Sequence, residues 1–178
     1  LDRRAARLPD DEPLPLFVPH MEGRVSPPRP RMRGAWFELT RSHTLTHLYR
    51  GMLSSMAMEY AIYLKVMRST FKGLSPKEVR VTGGGAKSSL WNRIKANTLG
   101  LPIAPVQGDH GAPAGVAMLA GVGIGLFKGT VDAARRWVNL GRRFRPVAPA
   151  AKAATPRVEQ YERLLEMADQ LSKPRSGQ

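Results

Sequence analysis

Three consecutive glycines, Gly83-Gly84-Gly85, stand between a β-branched run and an amphipathic stretch in EVRVTGGGAKSSLWNRIKANTL, residues 78–99. Val79-Arg80-Val81-Thr82 has the composition of a short strand. The glycines remove every Cβ from the turn that follows, so a ligand or another backbone can come close and positive φ carries no penalty. Ser88 or Ser89 can cap the next helix, with Leu90, Trp91, Ile94 and Leu99 on its buried side. A helix start of this kind offers free N–H groups and a positive dipole end. The chemistry on offer is binding, although tight packing alone also calls for glycine at such a junction.

Other candidate groups carry less. His43 and His47 lie four residues apart, on one helix face, but no third ligand or flanking Glu stands nearby, so they read as structural. Asp109-His110 invites an acid/base reading; adjacent side chains rarely face each other, and a turn is the commoner use. Gly121, Gly123 and Gly125 come at the end of an apolar helix rather than after a strand, which suits a helix exit better than a phosphate loop.

These groups must be positioned by a chain of 178 residues, 42% apolar, a length suited to one domain. No apolar run reaches the ~18 residues of a membrane span, and with no cysteine a reducing, cytoplasmic setting is expected. The chain opens Leu1-Asp2-Arg3-Arg4 without methionine, as a piece of a longer protein would. Lys and Arg number 28 against 14 acids, a formal charge of +14. The basic residues are dispersed, with no RGG tract, zinc-finger spacing or aromatic-interleaved strand. An acidic partner domain or a phosphate-bearing ligand therefore fits better than nucleic acid.

In order, residues 1–34 read as a connecting segment, an apolar run at Leu14–Val18, and a loop with Pro19, Pro27, Pro28 and Pro30. That proline density excludes a helix or central strand. Its arginines, Arg24, Arg29, Arg31 and Arg33, suit a solvated surface loop or a lip over an anionic site. Residues 35–145 form the main body. Ala35–Leu39 leads into a helix from about His43 to Lys72, capped by Ser42, with Leu45, Leu48, Tyr49, Met52, Leu53, Met56, Tyr60, Leu64 and Met67 on its apolar side. After the glycine unit, Gly100 stops the helix, and Leu101–Val106 is a short strand whose bracketing prolines suit a sheet edge or a strand start. Gly115–Leu126 is a small-residue helix, and Val131–Leu140 a short one. Residues 146–178 read as a proline and alanine linker, 146–156, then a helix started by Thr155-Pro156. Val158, Tyr161, Leu164, Leu165, Ala168 and Leu171 give that helix one apolar side, and Lys173–Gln178 a frayed tail. The fold class is α/β, helix-rich, and two strands are too few for a sheet, so further strands are expected upstream.

Taken together, RVTGGGAKSSLWNRIKANTLGLPI, RGAWFELTRSHTLTHLYRGMLSSMAMEY and GVAMLAGVGIGLF resemble the FGGY carbohydrate kinases in the later part of their C-terminal domain, nearest to xylulokinases. The resemblance spans Leu14 to Phe127 and extends loosely to the C-terminal helix. It implies a portion of an actin-like ATPase (ribonuclease H-like) domain in which ATP and Mg²⁺ phosphorylate a hydroxyl of a ketose or polyol. On that basis Gly83, Gly84 and Gly85 lie against adenosine, Ser88 is a small polar residue near the base, and Trp91 and Asn92 support the pocket. The phosphate loops and the general-base Asp belong to segments before Leu1, the Asp to the N-terminal kinase domain, so no catalytic residue and no metal ligand is assigned here. A homodimer is a candidate assembly.

The sequence departs from the family pattern at several places. Glu38 stands where Gly is usual, Gly51 where Ala or Ser is, and Ser54 where an acid is. Arg24, Arg29 and Asn97 also replace acids. The lost acids and the added charge motivate an alternative, an inactive kinase-like binding or assembly module whose basic surface meets RNA or an acidic partner.

Overall fold

The computed structural model describes residues 1–108 and 111–172, so the Asp109-His110 pair and the Lys173–Gln178 tail lie outside the described residues. Chain order is α1 (Asp2–Ala5), β1 (Leu16–Val18), β2 (Ala35–Phe37), α2 (Leu45–Thr70), β3 (Val79–Val81), a 3-10 turn (Gly84–Lys87), α3 (Ser89–Leu99), β4 (Ile103–Pro105), α4 (Gly111–Gly123), α5 (Thr130–Trp137) and α6 (Ala148–Leu171).

Helix α2 is the spine, 26 residues or about 39 Å long. It packs against α1, α3, α6 and β1. Its start differs from expectation. Thr44, not Ser42, is the N-cap, and its backbone N–H donates to His47 Nδ1 at 3.1 Å. Ser42 instead bonds Thr40 at 2.8 Å. His47 Nε2 reaches Glu12 Oε1 at 3.1 Å, so this histidine secures a helix end, as a structural residue should.

The buried side of α2 also differs. Of the nine apolar positions expected there only Leu53 is buried; the enclosed face carries Thr46, Arg50, Gly51, Ser55, Ala57, Met58, Glu59 and Ile62. Close backbone approach is the reason. β1 passes over Gly51, where an added Cβ would stand 2.5 Å from the Pro15 carbonyl oxygen, and Ser55 Oγ accepts from Phe17 N at 2.9 Å. Small and hydrogen-bonding side chains are the ones that fit there. Tyr60 and Met67, set on the opposite side, remain 42% and 47% exposed.

β1 pairs antiparallel with β2 in the register Phe17↔Trp36, the two rings 4.6 Å apart. β2 arises from residues read only as a lead-in to the helix. This ribbon, Met58 and Ile62 of α2, and Tyr161, Leu164, Leu165 and Ala168 of α6 make the larger core. A smaller cluster joins Ala5, Leu53 and Leu90, with Trp91 and Ile94 against it.

Residues 148–156 are helix rather than linker, because α6 runs unbroken from Ala148 to Leu171. The segment is rich in alanine, and a proline in the first turn costs no hydrogen bond. Pro156 lies inside the helix and forfeits one ladder bond. Packing against α3, and Val147 N donating to Asn97 Oδ1 at 2.9 Å, hold that end in place. On α6, Val158 is only partly buried and Leu171 is 78% exposed.

The proline-rich loop is largely exposed, as a surface loop should be, but it is tethered. Arg24 is buried and donates to Glu59 Oε2 at 2.8 Å, while Arg29 pairs with Asp169 at 3.1 Å. These arginines latch the loop onto α2 and α6.

Candidate functional site

β3 and β4 are parallel, in the register Arg80↔Ala104. The far edge of β4 is occupied through the bridges Ile103↔Phe144 and Val106↔Leu140. β3 delivers the chain to Gly83, whose φ of +83° suits only glycine well. The 3-10 turn then leads to Ser88, the N-cap of α3, whose Oγ accepts from Trp91 N at 3.0 Å and donates to Asp2 Oδ1 at 2.9 Å.

The three glycines differ in what surrounds them. Nothing lies within 4 Å of where a Cβ on Gly83 or Gly84 would stand, so this part of the turn is open. A Cβ on Gly85 would lie 2.1 Å from Trp91 Cζ3. Gly85 is therefore a packing glycine, and only its two predecessors present bare backbone outward.

The remaining residues named from sequence face inward. Trp91 Nε1 donates to the Leu53 carbonyl at 3.1 Å, which joins α3 to α2. Asn92 is 1% exposed, and its Nδ2 donates to the Ala86 carbonyl at 2.7 Å, holding the 3-10 turn against α3. Ser88, Trp91 and Asn92 thus position the turn, and Gly83 and Gly84 form its accessible surface.

Sequence reading missed a second feature beside the turn. A cleft of about 680 Å³ is bounded by Thr82, Gly85 and Trp91 on one side and by Tyr60, Tyr63 and Met67 on the other. Within it Lys95 Nζ lies 4.3 Å from the Trp91 ring centroid. The lysine is 3% exposed and has no salt-bridge partner among the described residues. Burial pushes its ammonium down to about 8. The four-residue spacing from Trp91 to Lys95 was the available signal, since such pairs stack on one helix face. Glu78 shares the cleft but is engaged elsewhere: hydrogen bonds from Arg143 Nε at 2.9 Å and Arg80 Nε at 3.1 Å hold its carboxyl below the usual range.

This lysine gives a pH signature with an unusual sign. In the unfolded chain a lysine keeps its proton to about pH 10.4. Between pH about 8 and about 10, the unfolded state binds more protons than the folded one, so stability rises with pH. Below about 8 both states are protonated and the burial penalty is constant. Urea denaturation of the 178-residue chain at pH 7.5, 9 and 10 should show that rise. Lys95→Met, which separates the lysine from Tyr60, Tyr63, Glu78 and Arg80 in the same cleft, should abolish it.

The family model described as "FGGY family of carbohydrate kinases, C-terminal domain" matches residues 1–124. The chain belongs to this family. A glycerol kinase from Methylibium petroleiphilum is 37% identical over 152 residues, covering 83% of this chain and 30% of that protein. A xylulose kinase from Rhodospirillum rubrum superposes with a TM-score of 0.80 at 24% identity, over 96% of this chain and 34% of that one. A Plasmodium falciparum glycerol kinase solved with ADP gives 0.66 at 17% identity, over 86% and 30%. The fold of this FGGY chain is accordingly a helix-rich portion of an actin-like ATPase domain. It spans about a third of the length of the relatives it matches. No helix among the described residues is long and apolar enough to cross a membrane.

Proposed function

We propose that this FGGY chain is the C-terminal, nucleotide-side part of an ATP-dependent kinase that phosphorylates a hydroxyl of a polyol or ketose. One observation carries the reading. Gly83 and Gly84 present open, side-chain-free backbone at the exit of β3, in a chain of a carbohydrate-kinase family. In this reading the adenosine of ATP lies against these two residues. Gly85 lets Trp91 back the turn, Ser88 fixes the start of α3, and Asn92 keeps the 3-10 segment rigid.

The acceptor hydroxyl and the phosphates belong to the cleft that this part forms with an N-terminal kinase domain. Phosphoryl transfer depends chiefly on positioning and on neutralising charge, and Mg²⁺ supplies the latter in kinases of this chemistry. No group of three or more His, Asp or Glu side chains converges on a metal position among the described residues. The named relatives divide between glycerol and xylulose kinases, so the substrate class is written as polyol or ketose rather than xylulose alone.

Gly84→Val is the discriminating variant. A Cβ here meets nothing within 4 Å in the folded protein, so the substitution should leave the fold intact and intrude on a ligand. In the full-length protein the KM for ATP should rise at least ~10-fold, with the KM for the acceptor within about 2-fold, a loss near 1.4 kcal/mol of nucleotide binding. An unchanged KM for ATP would remove the adenosine from this turn.

A further inference from the structure

A carboxylate from outside the glycine motif reaches the turn. α1 packs against both α2 and α3, anchored by Ala5, which is buried with Leu53 and Leu90. Arg50 of α2 also donates to the carbonyls of Ala5 and Leu8. The short helix is therefore held without help from its first residue, and half-buried Asp2 has a different task. Its Oδ1 accepts from Ser88 Oγ at 2.9 Å and from the Tyr49 hydroxyl at 3.3 Å. One oxygen thus joins α1 to α2 and to the start of α3. Burial, and after it the Asp2 carboxylate, raises the Tyr49 phenol above its ordinary value, which keeps that hydroxyl a donor.

The bond to Ser88 fixes where a proton points. A serine hydroxyl rotates, and it caps a helix only when a lone pair faces the backbone N–H. With its proton committed to Asp2, Ser88 Oγ offers a lone pair to Trp91 N at 3.0 Å. α3 has no acid in its own first turn, so Asp2 supplies from another helix the negative charge that a helix start favours. Ser88 also closes the 3-10 turn: Ala86 N donates to the Gly83 carbonyl at 3.0 Å and Ser88 N to the Gly85 carbonyl at 3.4 Å. Glycine loses more conformational freedom on ordering than any other residue. A turn of three glycines therefore depends on what clamps its ends.

We propose that Asp2 is a positioning residue for the nucleotide: by fixing the Ser88 hydroxyl, it holds the 3-10 turn in the shape in which Gly83 and Gly84 receive adenosine. The proposal rests on the reading above that places adenosine at this turn. It adds to the site a side chain 86 positions before Ser88. A turn ordered beforehand spares the nucleotide that cost on binding.

The test uses the full-length protein. Asp2→Ala should raise the KM for ATP about 5-fold, with kcat and the KM for the acceptor within about 2-fold. Asp2→Asn keeps an acceptor for Ser88, and Tyr49→Phe removes only the other bond to the same oxygen, so both should hold the KM for ATP within about 2-fold of the parent. Asp2→Ala combined with Ser88→Ala should bind ATP no more weakly than Ser88→Ala alone, because Asp2 acts through that hydroxyl. Without nucleotide, the Trp91 amide should exchange at least ~10-fold faster in Asp2→Ala. An unchanged KM for ATP or an unchanged Trp91 exchange rate in Asp2→Ala would overturn the proposal. So would an Asp2→Asn or Tyr49→Phe variant as impaired as Asp2→Ala, or a double variant weaker than Ser88→Ala. Gly84→Val separates the two ideas. If it raises the KM for ATP and Asp2→Ala does not, only the role of Asp2 falls. If neither variant moves it, the adenosine assignment falls and takes the role of Asp2 with it.

Discussion

Replacing Glu59 by alanine is expected to destabilise the chain by about 3–5 kcal/mol, a large share of the total stability of a small domain. Glu59 is 6% exposed and engages three side chains at once, two from the proline-rich loop and one from α6. His20 Nε2 lies 2.9 Å and the Tyr161 hydroxyl 3.2 Å from Oε1, while Arg24 Nη2 lies 2.8 Å from Oε2. Alanine would leave the Arg24 guanidinium 8% exposed with no anion, and its Nε already lacks a partner. Burial, followed by the charge of Glu59, raises the Tyr161 phenol well above its ordinary value, so this hydroxyl remains a donor throughout the working pH range. Chemical denaturation should give the loss directly. Adding Arg24→Met to Glu59→Leu should recover most of it, since the penalty belongs to the uncompensated charge rather than to the pair. If Glu59→Ala alone costs less than about 1 kcal/mol, the pair is solvated and the core does not depend on it.

That network explains a good part of what sequence could and could not show. The long helix, the β3–glycine–α3 unit and the αL stop at Gly100 are local signals, set by spacing, capping and glycine, and they were legible. The buried face of α2 was not legible. Its interior side holds Arg50, Ser55 and Glu59, polar residues that become core only because Asp10, Phe17 and Arg24 arrive from distant segments. The α6 boundary failed for a related reason. Thr155-Pro156 has the local chemistry of a helix start, yet tertiary packing carries the helix back to Ala148. At the candidate site the glycines could be named, but their division of labour could not, since Gly85 differs from Gly84 only through the Trp91 ring six residues on. Lys95 escaped notice because a lysine on a helix usually points to solvent. One unusual backbone position gains a physical account as well. Glu38 adopts φ +60° and reaches Arg157 of α6 at 2.8 Å, so an ion pair offsets an unfavourable backbone conformation.

Gly51 supplies the second large effect, and its sign runs against helix propensity. In an exposed helix interior, Gly→Ala stabilises by roughly 1 kcal/mol. Gly115 in α4 meets that condition, with nothing within 4 Å of an added Cβ, so Gly115→Ala should raise the melting temperature. Gly51 sits in the second turn of α2 under the segment that enters β1. A Cβ there would lie 2.5 Å from the Pro15 carbonyl oxygen and 3.3 Å from that proline's ring carbons. Neither neighbour can rotate away, since one is backbone and the other a ring, and Pro15 is fully buried. The helix and β1 would have to separate, disturbing the Ser55 bond to Phe17 N and the core beneath it. Gly51→Ala should therefore cost about 1–2 kcal/mol and Gly51→Val about 3 kcal/mol, measured by the shift of the denaturation midpoint at constant slope. If Gly51→Ala instead matches the stabilisation seen at Gly115, β1 stands further from α2 than 2.5 Å allows, and the small-residue face of the helix needs another explanation.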